Sequence, residues 1–398
     1  NAVTALMRIT VCFLFCAVFA IPAQSQGIIP AQELPAAIQV LDNAPSKNSL
    51  PCYIRAAKKA QLDFIFRYTT AFSIECRLAA LEAGQPYFAL VRVTPENRKP
   101  VVMIEEFDIP SGAANEPDGY EMSSAKTMRI LMGGGFAMGT GRYSAEVVLT
   151  DQHGHTSKKQ WHLGTAEEAK RSKDAPNMLG PGAVAPLLDV HWDGKLASKG
   201  LRLTVLLHIS RNSDGAFLLP SLSSLLSAIP CQSVKLIAFN LDRQQEIFHE
   251  NRLDSDSFAT LAKTLQQKEF ITISYQSLAR DAWKRFLVEM TRRELNEQPD
   301  AIVFLGLYGT HAWEKVSPNA LRETELPNSR VFYLKYFTGA DRPADALERL
   351  TKDLHGSVFN VYSPETLADA MHKIQAQIKT TPNQQAPSPG ASPSANSD

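Results

Sequence analysis

Two different periodicities divide this chain. Between Leu62 and Leu163 the apolar positions come in short runs with turn residues between them: Leu62–Arg67, Phe72–Leu78, Pro86–Thr94, Val101–Asp108, Met128–Met132, Tyr143–Thr150 and Lys158–Leu163. Within Pro86–Thr94 the residues Tyr87, Ala89, Val91 and Val93 alternate with Phe88, Leu90 and Arg92. A period of two over several short, regularly spaced segments predicts an antiparallel β-sandwich over residues 61–163. Asp151–His155 joins the last two strands as a hairpin, and Trp161 is placed to enter the core.

After residue 198 the pattern alternates apolar strands with helices. Leu201–Ile209 is a nearly unbroken apolar run that ends in small polar residues, and Ala301–Leu307 is unbroken. Runs of that kind are strands buried on both faces of a parallel sheet. Val234–Asn240, Phe270–Ser274, Val331–Phe337 and Val358–Val361 supply further strands, with Glu246–Phe248 antiparallel to the first of these. Helices are expected at Leu218–Ile229, with serines on its polar side, at Ser257–Gln267, across Trp283, Phe286, Leu287 and Met290, at Ala344–Leu354, and at Glu365–Ile378 behind a Ser363 cap. The alternation predicts a doubly wound, Rossmann-like α/β domain over residues 198–379. The chain is therefore expected to be multidomain, with residues 26–60 a lead-in, 164–197 a Pro- and Gly-broken linker, and 380–398 a disordered tail.

The N-terminus changes the picture most. Met7–Arg8 precedes the apolar stretch Ile9–Ile21, and Ala23 and Ser25 fit the small-residue pattern read by signal peptidase. Residues 1–25 are expected to be a signal peptide, with 1–6 upstream of the true start, and the protein to be exported to the periplasm or beyond the cell. No transmembrane segment is expected after cleavage. Cys12 and Cys16 lie inside the apolar stretch, so Cys52, Cys76 and Cys231 remain. Cys52–Cys76 is a possible disulfide in an oxidising compartment, although an odd count sets no framework. Lys plus Arg and Asp plus Glu balance at 41 each, which leaves no basic field for nucleic acid.

Three stretches carry candidate chemistry. Gly133–Gly141 lacks the lysine and Ser/Thr of a P-loop and reads as a turn whose glycines supply positive φ. His153 and His155 flank a turn glycine without a third ligand in sequence, and read as exposed. The third stretch is the end of the first strand of the α/β domain, where His208, Ser210 and Asn212 fall; ligands bind at the carboxyl ends of strands in open parallel sheets.

A βα repeat that follows a sandwich, with a polar switch after its first strand, resembles the von Willebrand factor A fold over roughly residues 198–378. The whole mature chain is similar to exported, acidobacterial-type bacterial proteins of the related family. Ser277–Leu278–Ala279–Arg280–Asp281–Ala282–Trp283 is similar to that family's Thr-x-Leu-Tyr-Asp-Ala-Leu helix start, and Gly134–Tyr143 to its glycine-rich hairpin. The resemblance implies a metal site built from Asp-x-Ser-x-Ser, a Thr, and an Asp after the fourth strand. The matching positions here are His208, Ser210, Asn212, Ser277 and Leu307. Both carboxylates are replaced, by His208 and Leu307, and Asp214 is out of register. Mg²⁺ and Ca²⁺ need anionic oxygen, so the site is expected to be degenerate and metal-free, with no cofactor.

The function implied is a non-enzymatic protein-interaction or assembly module with a protein partner. Its ligand-binding residues would be His208, Ser210, Asn212 and Ser277, and no residue would be catalytic. Two alternatives stand beside it. One is adhesion-type binding dependent on Mg²⁺ or Ca²⁺ through Ser210, Asn212 and Ser277. The other is a hydrolase using Ser210 and His208, against which stand the missing orienting acid and the missing Gly-x-Ser-x-Gly elbow.

Overall fold

The structure is a computed structural model that describes residues 27–45, 47–82, 84–109, 129–172, 175–176, 178–187, 190–209, 215–266, 282–307, 329–336 and 344–379. The expected signal peptide, the strand at Phe270–Ser274 and the tail lie outside the described residues. The described residues are mixed α/β and form three sheets. The chain divides into two compact units between Val190 and His191.

The first unit holds two antiparallel sheets. Strands β1 (Gly27–Ile28), β2 (Cys52–Ala56), β3 (Gln61–Leu62), β4 (Tyr68–Arg77), β5 (Pro86–Pro95), β6 (Val101–Asp108), β7 (Arg129–Met138), β8 (Arg142–Thr150), β9 (Thr156–Gly164) and β10 (Val184–Pro186) follow in order. One sheet runs β10-β7-β4-β2, with β3 beside β4, and the other β1-β6-β5-β8-β9. Alternate residues of both sheets, among them Phe72, Ile74, Met132 and Phe136 from one and Val91, Met103, Phe107 and Val147 from the other, form one buried cluster. The alternation read from sequence is what puts these side chains on the inner faces.

Three expectations for this unit need revision. The lead-in carries structure: α1 (Leu34–Asn43) lays Ala37 and Leu41 on Leu90, Val102 and Val148 of the second sheet's outer face. β2 follows it, and the Cys52–Cys76 disulfide joins β2 to β4 at directly paired positions. The region read as a linker begins with the short helix α2 (Ala166–Arg171) and then supplies β10, which completes the first sheet by pairing with Phe136–Met138. Pro186 is tolerated because β10 is an edge strand, where its missing N–H breaks no ladder. The run Leu62–Arg67 is a turn: Asp63 Oδ1 accepts from the backbone N–H of Ile65 and Arg67 (2.9 and 2.8 Å), and Phe66 sits at φ 60°.

The glycine run is also different from its reading. Gly133–Gly135 lie within β7, and of the run only Gly141 takes a positive φ. Gly134 points between the sheets, where a Cβ would lie 2.0 Å from Glu105 Oε2. The missing side chain makes room for a carboxyl group.

The described residues of the second unit form a six-stranded sheet of β11 (Leu201–His208), β12 (Cys231–Asn240), β13 (Gln245–Glu250), β14 (Ala301–Leu307), β15 (Arg330–Tyr336) and β16 (Ser357–Val361), in the order β13-β12-β11-β14-β15-β16. All pairings are parallel except β12 with β13. This is the doubly wound order, and its switch point lies between β11 and β14. Helices α5 (Ala282–Asn296) and α6 (Ala346–Asp353) pack on the face that carries Leu206, Phe304 and Tyr333. Trp283, Leu287 and Met290 anchor α5 there, each burial contributing about 2 kcal/mol. On the other face α3 (Gly215–Ala228) stacks Phe217 on Tyr336, and α7 (Pro364–Lys379) is tied to α3 by Gln375. Helix α4 (Ser255–Gln266) brings Phe258 to Trp192.

The serines of α3 do not form a solvated side. Ser221, Ser223 and Ser224 are buried, with Ser221 Oγ donating to Phe217 O at 2.6 Å and Ser223 Oγ to His191 O at 2.7 Å. Back-bonding of this kind lets a hydroxyl enter a core without an unmet donor. Among the described residues no helix is long and apolar enough to cross a membrane.

Candidate functional site

The carboxyl ends of β11 and β14 are where the topology puts a binding crevice. His208 is the last residue of β11, Gly306 is its partner on β14 and Phe239 its partner on β12. The imidazole is 3% exposed and lies 5.3 Å from the Phe239 ring. Gly306 is needed there: an added Cβ would stand 2.7 Å from His208 Cβ and 3.0 Å from its carbonyl oxygen. Beyond His208 the chain stays pinned to β12. Ile209 N donates to Phe239 O (2.8 Å), and buried Asn240 donates from Nδ2 to Ile209 O (2.8 Å) while its Oδ1 accepts from Arg243 N (2.8 Å).

The row continues across the sheet to a cation. Lys335 pairs in register with Gly306, so it stands two strands from His208, about 10 Å away. It is 1% exposed, and its Nζ donates to Glu348 Oε2 at 2.6 Å. Burial pushes the Glu348 carboxyl upward, but hydrogen bonds from Lys335 and Lys352 outweigh it and hold the group below its usual range. The nearby carboxylate of Asp345 is buried and committed too. It caps α6 by accepting from Glu348 N (2.8 Å), and its other oxygen accepts from Tyr333 Oη (3.1 Å).

Of the residues singled out in the sequence, the structure places His208 at a strand top and Leu307 at the end of β14, where it is buried at 4% exposure. Ser210, Asn212 and Ser277 lie outside the described residues. Asn240, Lys335, Asp345 and Glu348 were missed. The signal was there for one of them: Lys335 is the single charge inside the apolar strand Val331–Tyr336.

This donor set does not fit a hard divalent cation. At the two positions where the resemblance implies a carboxylate, the structure has an imidazole packed on a phenyl ring and the buried side chain of Leu307. The carboxylate of Glu348 is already committed to Lys335 and Lys352 and is not free to serve a cation. Elsewhere, His153 and His155 are exposed, with His155 Nδ1 2.8 Å from Asp151 Oδ2 and His153 Nε2 3.5 Å from Glu82 Oε2. Among the described residues no group of three or more His, Cys, Asp or Glu side chains is arranged to hold a metal. Cys231 is buried, and burial pushes its thiol up to about 12, far from a working nucleophile.

No protein-family model matches the chain, and no curated protein does. Among solved structures it is similar to a von Willebrand factor type A protein from Catenulispora acidiphila, at 12% identity and a TM-score of 0.27, over 61% of this chain. The chain spans less than half of that protein, 46% of its length. It is also similar to a mutant form of an enoyl thioester reductase from Candida tropicalis, at 10% identity and a TM-score of 0.22, over 82% of this chain and 86% of that one. TM-scores of this size carry no assignment of function.

Proposed function

We propose that the chain is an exported, non-enzymatic protein-interaction or assembly module. In this reading an N-terminal β-sandwich accompanies a von Willebrand factor A-like unit, whose strand tops bind a protein partner through neutral hydrogen bonds. His208, Ser210, Asn212 and Ser277 form the contact set, and no divalent ion takes part. The observation that carries the reading is the row Phe239–His208–Gly306–Lys335, which among the described residues places no carboxylate at the ends of these strands. The inert Cys231 thiol and the commitment of Asp345 to a helix cap support the non-enzymatic part.

Calorimetric titration of the full chain with MgCl₂ and with CaCl₂ tests it, alongside capture of envelope proteins with and without chelator. No metal heat and chelator-insensitive capture are expected. Tight Mg²⁺ or Ca²⁺ binding that disappears on replacing Ser210 and Ser277 with alanine would overturn the reading in favour of cation-dependent adhesion.

A further inference from the structure

The outer face of the β10-β7-β4-β2 sheet carries an uneven concentration of charge. Register sets Tyr53, Glu75 and Leu131 side by side on β2, β4 and β7, and places Arg77 beside Arg129 at one end. Arg55 stands next along β2. Tyr53 is 61% exposed and Leu131 43%, so this is open surface. Arg55 lies over the Tyr53 ring, its Cζ 5.3 Å from the centroid. Arg55 and Arg129 share the one carboxylate of the group, Glu75, while Arg77 makes no ion pair among the described residues. The hydrogen bond from Arg129, against a smaller opposing effect of burial, holds Glu75 below the usual carboxylate range. Among the described residues, three guanidinium groups against one carboxylate leave two positive charges in excess, in a chain whose total charge is zero.

Tyr53, Arg55, Glu75, Arg77 and Arg129 line a cleft of about 260 Å³, with the Cys52–Cys76 disulfide turned into the core beneath it. That disulfide ties β2 to β4 one residue from Tyr53 and Glu75, so the backbone under the arginines is covalently held.

We propose that this cleft is a docking site for an acidic peptide segment of a partner protein, whose carboxylates replace Glu75 as the acceptors for Arg55, Arg77 and Arg129 while Tyr53 packs against its backbone. Charge complementarity selects an anion, because planar guanidinium forks match carboxylates in two-point contacts. Exposed tyrosine beside arginine is the composition of protein-recognition surfaces. The cleft is small and the chain's net charge is zero, which suits the side chains of a peptide better than the length of a nucleic-acid backbone. The inference is independent of the strand-top reading, since the two surfaces lie in different units.

The test is fluorescence anisotropy of a labelled alternating Glu/Ser dodecapeptide with the full chain at low salt, beside the same peptide with every Glu replaced by Gln. The Glu peptide is expected to bind and the Gln peptide not. Arg77→Ala with Arg129→Ala should weaken binding at least tenfold, and Glu75→Gln should tighten it by removing the internal competitor. Lys263→Ala with Lys373→Ala removes the same charge from exposed helix positions of the second unit and should change nothing. The arginine and lysine variants alter exposed side chains and Glu75→Gln a half-buried one, and circular dichroism verifies their folding. Absence of binding, equal binding of the two peptides, or equal loss in the remote lysine variant would each overturn the proposal. So would tighter, arginine-dependent binding of anionic lipid vesicles, which would make the face a membrane contact instead.

Discussion

The two units pair most of their buried charges, but the first leaves one carboxyl without a partner among the described residues. In the second, each buried lysine meets carboxylates: Lys235 Nζ lies 2.8 Å from Glu294 and 2.7 Å from Glu297, and Lys335 Nζ 2.6 Å from Glu348. The first unit pairs Glu146 with Arg92 and Lys158 on the outer face of its second sheet. Between its sheets, however, Glu105 is 4% exposed, and its Oε2 meets no hydrogen-bond donor among the described residues. Desolvation pushes the Glu105 carboxyl up to about 7. A parallel sheet with helices on both faces can reach a buried ammonium with a glutamate from a covering helix. Between the two facing sheets no described donor reaches Glu105 Oε2, and the burden of its charge is relieved by protonation as pH falls through about 7.

The contrast sharpens most if one partner is removed. Glu348→Ala leaves Lys335 buried without that carboxylate and should lower the stability of the second unit by roughly 3–5 kcal/mol, read by denaturant unfolding. Lys335→Met combined with Glu348→Leu should return most of that loss. A larger defect in the double variant would mean that the pair is a net stabiliser.

Next in size is the covalent link. Reducing Cys52–Cys76, which lie 24 residues apart, should cost the first unit about 3 kcal/mol and leave the calorimetric transition of the second unmoved.

The pH dependence separates the units directly. Glu105 is raised from 4.5 to about 7, so the folded first unit binds the proton more tightly than the unfolded chain does. Its stability is highest below pH 4.5 and falls as pH rises through 7. Glu348 is lowered, so its contribution is present above pH 4.5 and lost only in stronger acid. Between pH 8 and 5 the first unit's melting transition should therefore rise while the second unit's stays in place. Glu105→Gln should stabilise by roughly 3 kcal/mol at pH 8 and by less than about 1 kcal/mol at pH 5. The smallest effect is at the strand tops, where Gly306→Ala should cost roughly 1–2 kcal/mol through the clash with His208.

Legibility in the sequence followed burial symmetry. Val101–Asp108 and Ala301–Leu307 were readable to the residue, because strands with a steady inner face, or two inner faces, carry unbroken patterns. Helix α1 was not, since its first turn contains Pro35 and only Ala37 and Leu41 are buried. Leu62–Arg67 has the composition of a strand, but Asp63 competes for its backbone donors and makes a turn. At the candidate site the strand ends gave His208 and Leu307 their places. The Lys335–Glu348 contact was hidden, because it joins a strand to a helix chosen only by the tertiary fold. Glu105 was hidden for the same reason, its room being made by a glycine on the opposite sheet.

The three residues of β10 have a practical consequence for anyone dividing this protein. A fragment that stopped at Gly164, where the strand pattern ends, would strip β7 of its outer neighbour and present the raw backbone of Phe136–Met138 to other molecules. Such borders invite strand-to-strand stacking between copies. A cut after Val190 keeps the border covered, and solubility of the two fragments would show how much three residues protect.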